Sequence, residues 1–185
     1  KRKLSKRKDP ELALTYYKAE GFPVEAVYEY ILTVLNSNFE DWRRANPDAS
    51  TDDFKFSYKK MNPAGSLFDA AKLKNVSKNV ISKMSAEKVC ELATEWANEF
   101  DKPFGEKLSE DKEKAVAIFS IGRGGKKPRK DYAVWSELKD YMGFFYDEFF
   151  EFKDVLAENF DKNVVKNILS EYDYNEEADQ TEWFE

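Results

Sequence analysis

The stretch Gly21-Phe22-Pro23-Val24-Glu25-Ala26-Val27-Tyr28-Glu29-Tyr30-Ile31-Leu32-Thr33-Val34-Leu35 decides the fold class. Val24, Val27, Tyr28, Ile31, Val34 and Leu35 recur at three- and four-residue steps, the period that gathers side chains on one face of an α-helix. Gly21 closes a preceding helix, Pro23 opens this one, and Asn36-Ser37-Asn38 breaks it. Backwards from here, Asp9-Pro10-Glu11 offers an N-cap, a proline at the first helical position and an acid in the first turn, which predicts a helix from Asp9 to about Glu20. Forwards, Phe39 to Ala45 reads as a short helix stopped before Pro47. Phe54, Phe56 and Tyr58 alternate as in a strand, while Asn62-Pro63-Ala64-Gly65 is turn chemistry, so residues 54–60 read as a short strand or an extended arm. Asp69 to Val76 and Ser77 to Met84 read as two brief helices. Ser85 caps a longer one, with Val89, Leu92, Ala93, Trp96 and Phe100 on one face and Asp101-Lys102-Pro103 at its end. Helices over Asp111 to Ile121, Asp131 to Met142 and Asp161 to Tyr172 complete a mainly α chain. The softest boundary lies at Met84-Ser85, which predicts domains at 1–84 and 85–185.

Composition narrows the chemistry. The 185 residues are 42% apolar, with four Trp, ten Tyr and fifteen Phe, enough bulk for a packed core and too much for a disordered chain. No histidine is present, so neither a Ser-His-Asp nor a Cys-His relay can be assembled. The single cysteine, Cys90, excludes a disulfide framework and a multi-cysteine metal cluster. Val89-Cys90-Glu91-Leu92-Ala93 sits inside an apolar helical pattern, where Cys90 reads as an ordinary half-buried helix residue. No metal site is expected. No apolar run of about 18 residues exists, and Lys1-Arg2-Lys3-Leu4-Ser5-Lys6-Arg7-Lys8 lacks the apolar stretch of a signal peptide, so no membrane passage is expected and a cytoplasmic location is.

Net charge conceals an asymmetry. Residues 1–8 carry six positive side chains and no negative one, and Gly122-Arg123-Gly124-Gly125-Lys126-Lys127-Pro128-Arg129-Lys130 carries five and none. Residues 146–185 hold thirteen acids against three lysines, so the formal −6 divides into +4 over residues 1–145 and −10 over the remainder. A mildly positive body with concentrated basic loops suits a polyanion. The 122–130 loop fits neither glycine pattern for nucleotides: Ser120 stands where a Walker loop needs its first glycine, and Lys127 replaces both its Ser or Thr and the last glycine of G-x-G-x-x-G. A cation-rich turn beside an RNA backbone is the better reading, with Arg123, Lys126, Lys127, Arg129 and Lys130 as phosphate contacts. Trp135, Tyr132 and Tyr141 are the nearest aromatics in sequence, and Trp135 follows the helix core pattern. Phe144-Phe145-Tyr146-Asp147-Glu148-Phe149-Phe150-Glu151-Phe152 interleaves aromatics with acids that repel phosphate, and reads as bundle core or a domain interface.

Lys3-Leu4-Ser5-Lys6-Arg7 resembles the KMSKS signature of class I aminoacyl-tRNA synthetases, in the form typical of the glutamyl-tRNA synthetases. Lys8-Asp9-Pro10 follows directly, then Tyr16-Tyr17, Gly21-Phe22-Pro23-Val24-Glu25-Ala26 and Tyr30-Ile31-Leu32, a succession similar to the bacterial members of that family. Phe68-Asp69 with Lys72-Leu73 resembles a segment of the family's stem-contacting region. Lys83-Met84-Ser85 is a decoy, because Ala86 and Glu87 follow where a lysine and a small residue are needed.

The resemblance implies a carboxy-terminal portion: the signature loop and a helical stem-contact region over 1–84, then a helical anticodon-binding bundle over 85–185, truncated at its carboxy end. It implies ATP binding through Lys3, Leu4, Ser5, Lys6 and Arg7, with Lys6 matching the second lysine of the motif and Lys3 the first. ATP with magnesium belongs to the full-length enzyme, and no catalytic residue is assigned in this portion, since the family's Rossmann half with its His-containing signature has no counterpart here. The implied partners are a glutamate-accepting tRNA and the chain's own catalytic domain in the full-length protein, as a monomer. Lys59, Lys60, Lys72 and Lys74 join the 122–130 cations as candidate tRNA contacts. The alternative is a helical protein-interaction module with solvated basic ends.

Overall fold

Why the chain turns where it does is clearest at Gly21. A computed structural model describes residue 9 and residues 13–61, 66–150 and 161–171. Helix α1 (Leu14–Glu20) ends at Gly21, whose φ of 82° is left-handed and whose N–H donates to the carbonyls of Lys18 and Tyr17, while the Phe22 N–H reaches Tyr17 O at 2.9 Å. Trp96 Nε1 donates to Lys18 O and Ala19 O at 3.1 Å each, and the Trp135 N–H donates to Gly21 O at 3.0 Å. The last carbonyls of the helix are thereby satisfied or shared. A Cβ on Gly21 would stand 2.7 Å from the Trp135 Cβ and 2.9 Å from its nitrogen. Both the backbone angle and the space therefore demand glycine.

From Gly21 the chain enters α2 (Val24–Leu35) and α3 (Phe39–Ala45), with Phe39, Trp42 and Leu32 gathered around Phe54 in a small satellite core. Residues 54–60 form an extended arm, with Phe54 and Ser57 in extended conformation and a single tight turn at Tyr58–Lys60. Among the described residues no strand occurs. Helix α4 (Ala70–Lys83) is capped by the Asp69 carboxylate, which accepts from Lys72 N at 3.0 Å. It is one continuous helix, correcting the expected break at Ser77. Serine there reads as a cap in sequence, but its buried hydroxyl donates to Ala133 O at 2.5 Å and the backbone continues past it.

Ser85 caps α5 (Ala86–Phe100) as its position predicts. Helix α6 (Lys102–Glu110) has no counterpart among the helices expected from sequence. Asp101 ends α5 and at once caps α6 through its carboxylate, with Pro103 in the first turn, so a stop signal is also a start. A Cβ on Gly105 would lie 2.8 Å from Asn98 N, so this glycine permits the tight α5–α6 packing. Helix α7 (Lys112–Ser120) is capped by Asp111. The helix expected from Asp131 begins later, with a tight turn at Trp135–Glu137 leading into α8 (Leu138–Met142). Asp131 is unavailable as a cap because its carboxylate is held by Arg129 and Tyr141, and Val134 stays extended while the Ala133 N–H donates to the Glu137 carboxylate.

Residues through Phe150 cluster as one compact unit, and residues 151–185 form a second, of which α9 (Lys162–Glu171) is described. The main core joins α5, α6, α7 and α8 through Val89, Phe104, Leu108, Phe119, Leu138 and Met142. Of the acidic aromatic cluster, Tyr146 is buried here and Phe149 packs on Phe104 and Tyr146, while Phe144 and Phe150 are exposed; residues 151–152 lie outside the described residues. Ala133 and Val134 pack with Phe22, Tyr30 and Leu73 in a second core. The Met84-Ser85 position is thus a helix junction inside the first unit. Cys90 is buried.

Gly21→Ala is expected to cost at least about 1–2 kcal/mol from the left-handed angle alone, before the clash with Trp135 is counted. Urea unfolding followed by tryptophan fluorescence checks this.

Candidate nucleic-acid interface

The basic loop after α7 is built by its arginines and left open by its lysines. Gly122 and Gly124 both take positive φ, at 67° and 84°, and the Arg129 N–H donates to Gly122 O at 3.0 Å, closing the loop at its base. Arg123 points back into the protein. Its Nε donates to Phe119 O, its Nη1 to Ile81 O at 2.6 Å and Met84 O at 3.0 Å, and its Nη2 to the Tyr132 hydroxyl at 2.7 Å. One guanidinium therefore closes the carbonyl end of α7 and joins it to the α4–α5 junction. With most of those donors turned inward, Arg123 is a mount for the loop. Arg129 is paired with Asp131, Nε to Oδ2 at 2.8 Å, and Asp131 also accepts from the Tyr141 hydroxyl at 3.0 Å.

Lys126, Lys127 and Lys130 are exposed and make no ion pair with another described residue. Nothing lies within 4 Å of where a Cβ on Gly124 or Gly125 would stand, so the tip projects clear of the body. Lys126 and Lys127 follow this tip directly, and Lys130 lies just past the bond that closes the loop.

The remaining candidates divide. Lys59 and Lys60 are exposed on the arm. Lys72 pairs with Glu40 at 3.0 Å, and Lys74 pairs with Glu137 at 2.9 Å. The Glu137 bond holds the Lys74 ammonium above its ordinary range. Burial works to raise the Glu137 carboxyl, yet the Ala133 N–H and Lys74 outweigh it and the net shift is downward. Lys74 is a clasp between α4 and the Trp135–Glu137 turn. Lys3, Leu4, Ser5, Lys6 and Arg7 lie outside the described residues.

Sequence reasoning could not see the inward turn of Arg123, because its partners are carbonyls at Ile81 and Met84, some forty positions away. It also missed an apolar groove of about 640 Å³ between α1, α2 and α5, where Leu14, Val24, Tyr28, Ile31 and Phe100 stay exposed. Among the described residues no group of three or more His, Cys, Asp or Glu is placed to hold a metal ion, and no helix is long and apolar enough to cross a membrane.

Burial pushes the Tyr132 hydroxyl up to about 12 against its ordinary 10, with Arg123 pulling the other way. The unfolded chain therefore gives up this proton first. Stability is expected to be flat through neutral pH and to fall as pH rises from about 10 to about 12; Tyr132→Phe should flatten that fall in urea melts across the range. Arg123→Ala leaves the Met84 carbonyl without its guanidinium donor and Ile81 O with the Met84 N–H alone, and should cost about 1–3 kcal/mol in the same assay.

No family model and no solved structure matches the chain. Curated relatives do. The glutamate-tRNA ligase of Acetivibrio thermocellus is 46% identical over 187 residues, covering all of this chain and 34% of the relative. That of Clostridium perfringens is 43% identical over 190 residues, again the whole chain and 35% of the relative. That of Sorangium cellulosum is 41% identical over 194 residues, the whole chain and 33% of the relative. The chain spans about a third of the length of these relatives. Along its whole length it is thus related to the bacterial glutamate-tRNA ligases and matches one third of such an enzyme.

Proposed function

We propose that this chain is the tRNA-binding carboxy-terminal portion of a glutamate-tRNA ligase, which as a whole attaches glutamate to tRNA at the expense of ATP. The observation that carries the reading is the 122–130 loop, mounted by Arg123 and presenting Lys126, Lys127 and Lys130 unpaired among the described residues. Phosphate contacts need positive charge within reach and carry no sequence information, which suits a rigidly based loop with a glycine-rich tip. The stem-contact role belongs to residues 1–84 and the anticodon-binding role to the helices from Ser85 onward. In the whole enzyme, ATP with magnesium supplies the activation of the glutamate carboxylate. Lys3 and Lys6, within the motif Lys3-Leu4-Ser5-Lys6-Arg7, would then offer ammonium groups where pyrophosphate departs.

The second reading, a helical protein-interaction module, is favoured by one observation, the exposed apolar groove between α1, α2 and α5. Titration of a glutamate-accepting tRNA at several salt concentrations separates the two, with the intact Acetivibrio thermocellus ligase as positive control. The chain is expected to bind, and the triple variant Lys126→Ala, Lys127→Ala, Lys130→Ala should bind more weakly. Its salt slope should fall by roughly 0.7–0.9 for each phosphate that the variant no longer neutralises. An unchanged slope rejects the loop as the site of phosphate binding. No binding where the control binds rejects the reading.

A further inference from the structure

The arm at 54–60 is built unlike the core around it. Phe54 anchors it, buried at 8% exposure against Phe39 and Trp42 at ring distances of 4.9 and 5.3 Å. Asn36, fully buried, then grips the backbone at two points: its Nδ2 donates to Ser57 O at 2.9 Å and its Oδ1 accepts from Ser57 N at 3.3 Å. The Ser37 N–H adds a third hold on Lys60 O at 3.1 Å. An irregular segment fixed by a buried amide and an anchored aromatic has given up most of its conformational entropy in advance.

This fixed arm displays what a core avoids. Tyr58 is 84% exposed, and Phe56, at 39%, braces it edge to face with ring centroids 5.5 Å apart and planes at 82°. Lys55, Lys59 and Lys60 flank the pair along the chain, all exposed, and no acid occurs from Phe54 to Met61. Asp52 and Asp53 lie on the preceding turn, separated along the chain by the anchored Phe54. On α3, Glu40 is taken by Lys72.

We propose that the arm Lys55 to Met61 binds an unpaired nucleotide of RNA, its base stacked on the Tyr58 ring and its neighbouring phosphates met by Lys55, Lys59 and Lys60. The site rests on the reading of RNA as the partner and extends it from backbone grip to base contact. An exposed aromatic face flanked by cations and free of acids within the segment is the chemistry of single-strand binding, where every base offers a π-face and every link a charge. A paired helix offers the phosphates without the faces, so the arm selects a splayed base over a duplex. A protein partner would need an acidic apolar surface; three exposed lysines in one seven-residue segment favour the nucleotide.

The test uses the 185-residue chain, a short single-stranded RNA of mixed sequence, and the same strand annealed into a duplex. Tyr58→Ala should weaken single-strand binding by roughly 5- to 100-fold and leave duplex binding and the salt slope unchanged, while Tyr58→Phe retains affinity. Lys55→Ala, Lys59→Ala, Lys60→Ala together should lower the salt slope. Because Tyr58 is exposed, the variant keeps its fold, which circular dichroism and the melting temperature verify. Equal weakening of single strand and duplex, or no weakening, overturns the stacking site while tRNA binding by the 122–130 loop still stands. Self-association of the unaltered chain in sedimentation that Tyr58→Ala abolishes while RNA binding stays intact identifies a protein-facing arm and also overturns it. No RNA bound by the unaltered chain overturns this inference and the proposed function together.

Discussion

The carbonyl end of α1 is where the amino side of the first unit is tied to its later helices. Helix ends leave carbonyls without intrahelical partners, which turns, side chains or water must supply. Here the Gly21 turn takes two of them, and the Trp96 indole, from α5, takes part of the load across nearly eighty residues of chain. The Trp135 N–H caps Gly21 itself. These bonds fix the order in which the elements meet: α1 against α5, and the 132–135 segment between α2, α4 and the bundle. Ser77 repeats the logic from α4, donating to Ala133 O. Residues at the amino side of the chain are thereby welded to helices that begin after Ser85.

Magnitudes decide which forces hold this arrangement. Lys18–Glu99, Lys72–Glu40 and Lys74–Glu137 are partly exposed pairs, each worth about 0–1 kcal/mol and screened by salt. Burial of Phe104, Leu108, Leu138 and Met142, none of which keeps any exposed surface, contributes about 1.5–3 kcal/mol for each side chain. Stability is set by the core, and the surface ion pairs add little to it. The 122–130 loop divides by residue type: Arg123 and Arg129 are committed to the protein, and the lysines form no ion pair with another described residue. Arginine suits that commitment because its planar fork can satisfy several carbonyls at once; lysine is a point charge on a mobile stem.

Local signals were legible where one residue type has one physical meaning. The stop at Gly21, the amphipathic run from Val24, and the caps at Ser85 and Asp111 follow from the chain itself. Signals with two meanings misled. Ser77 has the chemistry of a cap and serves as a buried cross-link; Asp101-Lys102-Pro103 ends one helix and begins another; Asp131 looks like a cap and is held by Arg129 and Tyr141. The basic loop was readable as charge. Which of its cations remain free was not, because that depends on carbonyls at Ile81 and Met84 and a carboxylate at Asp131 that only the fold brings near. The arm was seen as alternating aromatics, but its rigidity comes from Asn36, a residue that sequence reads only as a helix breaker.

The most direct measurement is ultraviolet cross-linking of a glutamate-accepting tRNA to the intact chain, with the modified peptides located by mass spectrometry. Cross-links in the Gly122–Lys130 loop and the Lys55–Met61 arm are the predicted result. Cross-links that spare both segments, or an RNA that leaves every peptide unmodified, contradict the account.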